Sequence, residues 1–200
     1  MQLISSPTSP FVRKVRVLIH EAGKTDTVEL VNVSTTPVST DPRILPANPL
    51  GKIPALIRPE GSALYDSRVI TRYLDTLWSL GLYPEATIWD TLTLEATADA
   101  MMEAAVLMVY ESRVRPQDLA YAPWVEAQWG KVSRALDALE ATWMDHLSGP
   151  TTAAHIAVGC ALSYIDFRHA DRAWRAARPD LAAWHAVWAD RESMQLTTPS

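Results

Sequence analysis

Apolar and polar positions change their rhythm at two places along the chain. Residues 2–5 form a short apolar run that gives way to Ser5 and Ser6, which predicts a strand ending in a polar turn. Pro10 then stands where a helix's first turn tolerates a missing N–H. Phe11, Val15, Leu18 and Ile19 recur at steps of three and four, so a helix is predicted over 10–22, stopping at Gly23. Residues 27–33 alternate as a second strand, and 41–47 read as a short, proline-flanked helix or irregular segment. Two short β-rich runs, 53–58 and 62–65, flank Glu60-Gly61 as a hairpin, after which Asp66 caps a helix carrying Val69, Ile70, Tyr73 and Leu77. The order is βαβαββα, the signature of a mixed sheet with helices on its faces.

The second change falls at 78–87, where Gly81 and Pro84 interrupt the pattern as a linker does. Beyond it no strand pattern remains. Residues 89–114 predict one long Ala- and Met-rich helix, and Val125, Trp129, Val132, Leu136, Leu139 and Trp143 mark another by their steps of three and four. Residues 153–165 are apolar almost all the way round apart from His155 and Ser163, which predicts a helix buried on several sides. Leu181, Trp184 and Trp188 predict a last amphipathic helix, and 197–200 a fraying end. The pattern thus divides the chain into a mixed α/β domain over 1–78, a linker over 79–88 and an all-helical bundle over 89–200.

Composition adds exclusions. A chain of 200 residues with 48% hydrophobic and 20% charged content can bury a core without staples. Its single cysteine, Cys160, rules out an internal disulfide or a CxxC pair, and inside a buried helix it reads as an inert apolar side chain. The formal charge of −5 removes the general attraction to phosphate on which nucleic-acid binding rests. No apolar run reaches the roughly 18 residues of a membrane span, and no basic leader precedes Leu3 and Ile4, so a cytoplasmic protein is expected. The five histidines show no HxxxH-type metal spacing, and no metal is expected.

Three spaced motifs carry a resemblance: Ser9-Pro10-Phe11 with Val12-Arg13-Lys14-Val15, then Asn48-Pro49-Leu50-Gly51-Lys52-Ile53-Pro54, then Asp66-Ser67. Together with the helical remainder they resemble the glutathione transferase superfamily over the whole chain, and its serine-type bacterial members in having a small polar residue before the first helix's proline. The resemblance implies an N-terminal thioredoxin-like domain and a C-terminal helical bundle. One position departs from it. The family often carries Ser/Thr-x-x-Asp at the start of the buried helix; Thr152 is present, but His155 stands at the third following position, where a neutral imidazole is expected to serve a capping box poorly.

The resemblance also implies roles. Ser9, at a helix N-terminus where free N–H groups and the helix dipole favour an anion, is cast as hydrogen-bond donor to the sulfur of glutathione; as a residue alone it reads first as an ordinary N-cap, and Ser6 and Thr8 are neighbouring hydroxyls that could share or take the role. Phe11 belongs to the same motif. Ile53 is expected to offer backbone groups to the cysteinyl part beside a cis Pro54, which alone would read as a strand-edge breaker. Asp66 and Ser67 complement the ammonium and carboxylate of a γ-glutamyl end, although the same pair is a plain helix cap. Lys52, ahead of Arg13, is expected to pair with a glutathione carboxylate.

Magnitudes limit what such a site does to the thiol. Lowering its pKa from about 8.5 to about 6.5 raises the thiolate fraction near neutral pH roughly 25-fold. The less basic sulfur is roughly eightfold less nucleophilic. The net gain is a few-fold, so positioning of the electrophile must carry the rest. Met102 and Tyr110, with Met101 and Met108, are candidates for that hydrophobic pocket, though such a stripe reads first as core. Asp99 and Glu103 read as a solvated face with a possible place at a dimer interface. The overall expectation is an enzyme joining glutathione, as co-substrate, to a small hydrophobic electrophile. A homodimer is implied by the family, and a non-catalytic adaptor or small-molecule carrier on the same fold is the alternative.

Overall fold

The computed structural model describes residues 1–199; Ser200, part of the end expected to fray, lies outside the described residues. The chain forms two compact units, one of residues 1–84 with 192–199 and one of residues 85–191.

The first unit is a three-stranded sheet of order β2-β1-β3, with β1 at Gln2–Ser5, β2 at Glu29–Asn32 and β3 at Ala55–Ile57. β1 pairs parallel with β2, which requires a crossover, and α1 (Pro10–Glu21) provides it. β3 runs antiparallel to β1, with Ile4 opposite Ala55. Ile4, Val33, Ile44, Ala47 and Ala55 form a core cluster against which Ile53 packs. α2 (Ser67–Trp78) ends at Ser79 in a left-handed C-cap.

One predicted element takes the second of its two expected forms and another is shorter than expected. Residues 41–47 are an irregular segment of successive turns, closed by bonds from Ile44 N–H to the Asp41 carbonyl and from Ala47 N–H to that of Ile44; Pro42 and Pro46 withhold the donors a helix needs. In the expected hairpin only Leu56 and Leu64 pair, by reciprocal 2.9 Å bonds. Arg58 closes that turn by donating twice to the Ser62 carbonyl, and the chain then departs to cap α2.

The stretch read as a linker is largely tied down within the first unit. Leu82 N–H donates to Asp75 Oδ1 at 2.7 Å, and the Tyr83 and Thr71 hydroxyls lie 2.8 Å apart. The C-terminal residues also depart from expectation: 192–199 belong to the first unit, and Thr197 is buried rather than frayed. The reason is Arg13, which is 5% exposed and donates to the Met194 carbonyl at 2.9 Å and to Thr197 Oγ1 at 3.4 Å. A buried guanidinium must have its donors met, and the short helix α8 (Glu192–Gln195) supplies one acceptor, Met194, and the residues just after it the other, Thr197.

The second unit is all helical: α3 (Ile88–Arg113), α4 (Ala122–Thr142), α5 (Met144–Leu147), α6 (Ala153–Arg168) and α7 (Pro179–Ala189), with short 3-10 turns between them. α6 is buried nearly all round, as its unbroken apolar composition requires. At its start Thr152 and His155 do form a capping box, contrary to expectation: Thr152 N–H donates to His155 Nδ1 at 3.1 Å, so a neutral imidazole nitrogen takes the acceptor's place. Midway along α6, Gly159 lies directly under the indole of Trp188, which stacks on Trp184 with ring centroids 5.4 Å apart and planes 12° from parallel.

Candidate functional site

Three chain segments meet at one end of the sheet. β1 delivers the chain to α1, and the β1–β3 register, one residue beyond Ile4 and Ala55, sets Ser5 beside Pro54. On the other side of β3 the Leu56–Leu64 bridge, carried two residues further, brings Asp66 toward the same proline. The N-termini of α1 and α2 therefore both open at the edge that holds Ile53-Pro54, and two dipoles favour an anion there.

Ser9 is the N-cap of α1, and its Oγ accepts from Val12 N–H at 3.3 Å. The hydroxyl proton has no acceptor among the described residues, so one atom caps the helix and still has a hydrogen to donate outward. Phe11 follows, half-buried. The Ile53–Pro54 peptide is cis, and with the Ile53 side chain packed on the core its backbone polar groups are what the residue can offer a ligand.

The loop before it is held by Asn48, which the sequence reading gave no task of its own. Its Nδ2 donates to the Lys52 carbonyl at 2.8 Å and its Oδ1 accepts from Leu50 N–H at 3.0 Å. Gly51 adopts φ +65°, and a Cβ there would stand 2.8 Å from the Thr40 side chain. Lys52 is exposed.

Asp66 caps α2 through Arg68 N–H at 3.0 Å, and its other oxygen takes the Arg68 guanidinium at 2.9 Å. Partial burial pushes its pKa up, but Arg68 and the charge of Lys14 outweigh that and hold it below the usual carboxylate range. Lys14 is fully buried, a placement that the helical pattern of 10–22 does not single out. Two bonds leave a carboxylate capacity for a further donor. Ser67, first in α2, is 2% exposed.

Other predicted positions fall elsewhere. Arg13 is committed to the C-terminal residues and is not available to a ligand carboxylate. Met102 is 1% exposed and is a core residue, because its place on α3 falls on the buried stripe with Met101 and Ala105; Tyr110 is half-buried. Cys160 is a buried thiol. Among the described residues no three His, Cys, Asp or Glu side chains are grouped to hold a metal, and no helix is long and apolar enough to cross a membrane.

The helical unit contains a Ser-His-Asp grouping that sequence spacing does not reveal. Ser163 Oγ lies 3.0 Å from His185 Nε2, and Asp166 Oδ2 lies 3.7 Å from Nδ1. It is not a nucleophile system. Arg175 Nη2, which also donates to Asp166 Oδ2 at 2.6 Å, stands 3.0 Å from Nδ1 and can only donate, so Nδ1 must accept and Nε2 carries the proton, the wrong tautomer for a base toward Ser163.

Residues 8–77 match the glutathione S-transferase N-terminal domain and residues 122–186 the glutathione S-transferase C-terminal domain. The chain belongs to the glutathione S-transferase superfamily, with the thioredoxin-like first domain and helical second domain of that fold. It is 34% identical to the uncharacterized GST-like protein YibF of Escherichia coli (strain K12), over 100% of this chain and 98% of that protein. A glutathione transferase family member from Pseudomonas fluorescens Pf-5, solved with bound glutathione, is 43% identical with a TM-score of 0.95, covering 100% of this chain and 98% of that one. A second structure of that family member holds S-(propanoic acid)-glutathione, with 42% identity, a TM-score of 0.90 and 100% of both chains covered.

Proposed function

We propose that the protein binds glutathione as co-substrate at the sheet edge formed by Ser9, Ile53-Pro54 and Asp66-Ser67, and activates its thiol for attack on a small hydrophobic electrophile. The observation that carries this reading is the Ser9 hydroxyl at the N-terminus of α1, with a hydrogen still to donate, on the segment that follows β1, whose last residue the register sets beside the cis proline. The thiolate accepts a hydrogen bond from the Ser9 hydroxyl, Ile53 serves the cysteinyl backbone, and the γ-glutamyl ammonium and carboxylate meet Asp66 and Ser67. Phe11 flanks the first of these contacts, and Lys52 supplies a cation at the rim. The relative solved with S-(propanoic acid)-glutathione supports room for a substituent on sulfur in that protein.

Isothermal titration with reduced glutathione and with an S-alkyl glutathione tests the binding half. Saturable binding of both is expected, weakened about tenfold by Asp66→Ala, as fits loss of one charge-assisted contact. The chemical half is read from Ser9→Ala, which is expected to retain glutathione affinity while turnover falls. The acid limb of its pH–rate profile should move toward the free thiol's value of about 8.5. An unmoved limb defeats the role given to Ser9, and binding with no turnover toward any electrophile favours the adaptor.

The same reading includes a homodimer in the cytoplasm. Light scattering is expected to give twice the 22.2 kDa of the chain, and a mass of one chain at micromolar concentration rejects it.

A further inference from the structure

Lys14 is 0% exposed, on the buried side of α1 together with Val15 and Leu18. Packing alone asks for methionine or leucine there. An ammonium taken out of water is costly unless a counter-charge meets it, so a lysine at this depth marks a partner. A long helical side chain leans toward its helix's N-terminus, and Lys14, fifth in α1, is thereby carried back toward the turn that Ser9 caps. α1 packs against α2, and both helices begin at the edge that holds Ile53-Pro54. Asp66, the N-cap of α2, is the acid at that junction.

Two cations act on Asp66. Arg68 bonds it at 2.9 Å from the same helix, but that pair is more than half exposed on both sides, where water and salt screen it. Lys14 acts from α1 through the protein, where screening is weak; against the upward push of partial burial, its charge joins that of Arg68 in drawing the Asp66 carboxyl down. Arg13, next to Lys14 in sequence, is turned to Met194 and Thr197, and β3 carries no charge. The balance matters for the ligand read into this edge. Glutathione carries two carboxylates and one ammonium near neutral pH, so it arrives as an anion. An unbalanced Asp66 would attract the ammonium and repel the rest.

Resting on the glutathione reading above, we propose that Lys14 is a positioning residue for that ligand: without touching it, the buried ammonium balances Asp66, so that one edge both presents a carboxylate to the γ-glutamyl ammonium and accepts an anion. Lys14→Met tests this, because methionine fills a buried lysine's place without its charge, and Lys14→Arg is the charged control. Without glutathione, the titration midpoint of the Asp66 carboxyl, followed by carbon-13 NMR of the full chain, should rise by about one pH unit in Lys14→Met and return in Lys14→Arg. With reduced glutathione, isothermal titration at neutral pH should find binding about tenfold weaker in Lys14→Met and mostly recovered in Lys14→Arg. A midpoint that Lys14→Met leaves in place overturns the proposal, as does wild-type affinity in that variant. Failure of Lys14→Arg to recover either, in a variant that unfolds no earlier than Lys14→Met, assigns the loss to packing and overturns it too. A wild-type chain that does not bind glutathione, although the midpoint moves, rejects the glutathione reading and the positioning role together while the charge pair stands.

Discussion

Gly159→Ala is expected to destabilise the protein by about 2 kcal/mol, even though alanine is the better helix former by about 1 kcal/mol. The added Cβ would lie 2.2 Å from both Cδ1 and Nε1 of Trp188, far inside the 3.5–4.0 Å or so at which carbons rest. The indole has little room to yield. Trp184 stacks on it, and the His155 ring sits 5.6 Å away. Overpacking therefore outweighs propensity. Denaturant unfolding of wild type and variant measures the difference, and Trp188→Leu in the alanine background should recover part of it, since the two positions share one contact. A variant as stable as wild type, or more so, refutes the packing account.

His155→Gln is expected to flatten the dependence of stability on mild acid. In the folded protein burial, followed by the neighbouring charges of His146 and Arg191, pushes the His155 pKa down to about 4; carbonyls of Leu147 and His146 offset this only in part. Unfolded, the imidazole titrates near 6.5. Between these values the unfolded chain binds the extra proton, so the contribution of His155 is complete above pH of about 6.5 and is lost progressively toward about 4. The whole effect amounts to about 3 kcal/mol at most. Its structural expression is the capping box, because Nδ1 cannot accept from Thr152 N–H once protonated. Glutamine keeps an acceptor at that position without titrating. Unfolding midpoints across this range should fall for wild type and fall less for the variant; parallel curves refute the assignment.

The family and the positions of the major helices were legible because both rest on local signals. Steps of three and four in 10–22 and 125–143, and the unbroken apolar run from 153, correspond to α1, α4 and α6 to within a few residues. The site motifs were legible for the same reason: Ser9 and Asp66 are caps, and a cap is written in two or three adjacent residues. What escaped depends on partners distant in sequence. Arg13 reads as a cation for a ligand carboxylate until Met194 and Thr197 are placed beside it, and Met102 reads as pocket or core until α3 is seen to turn it inward. Residues 62–65 looked like a full strand because β-propensity does not count available neighbours, and only Leu64 finds one. The expectation for His155 failed differently. A neutral ring nitrogen is a competent acceptor once burial holds it neutral, and burial is a property of the folded unit rather than of the motif.

The bond from Arg13 to the far end of the chain bears on how the protein is made. A ribosome releases residues 1–84 long before 192–199, yet the first unit needs both. Domains that fold as they emerge do so once their own residues are out. Here the buried guanidinium waits, with two of its acceptors still unsynthesised, until the entire helical unit has been translated. Completion of the unit that carries Ser9 and Asp66 is thereby deferred until residues 192–199 have been made, and a chain released before them lacks the acceptors that finish it.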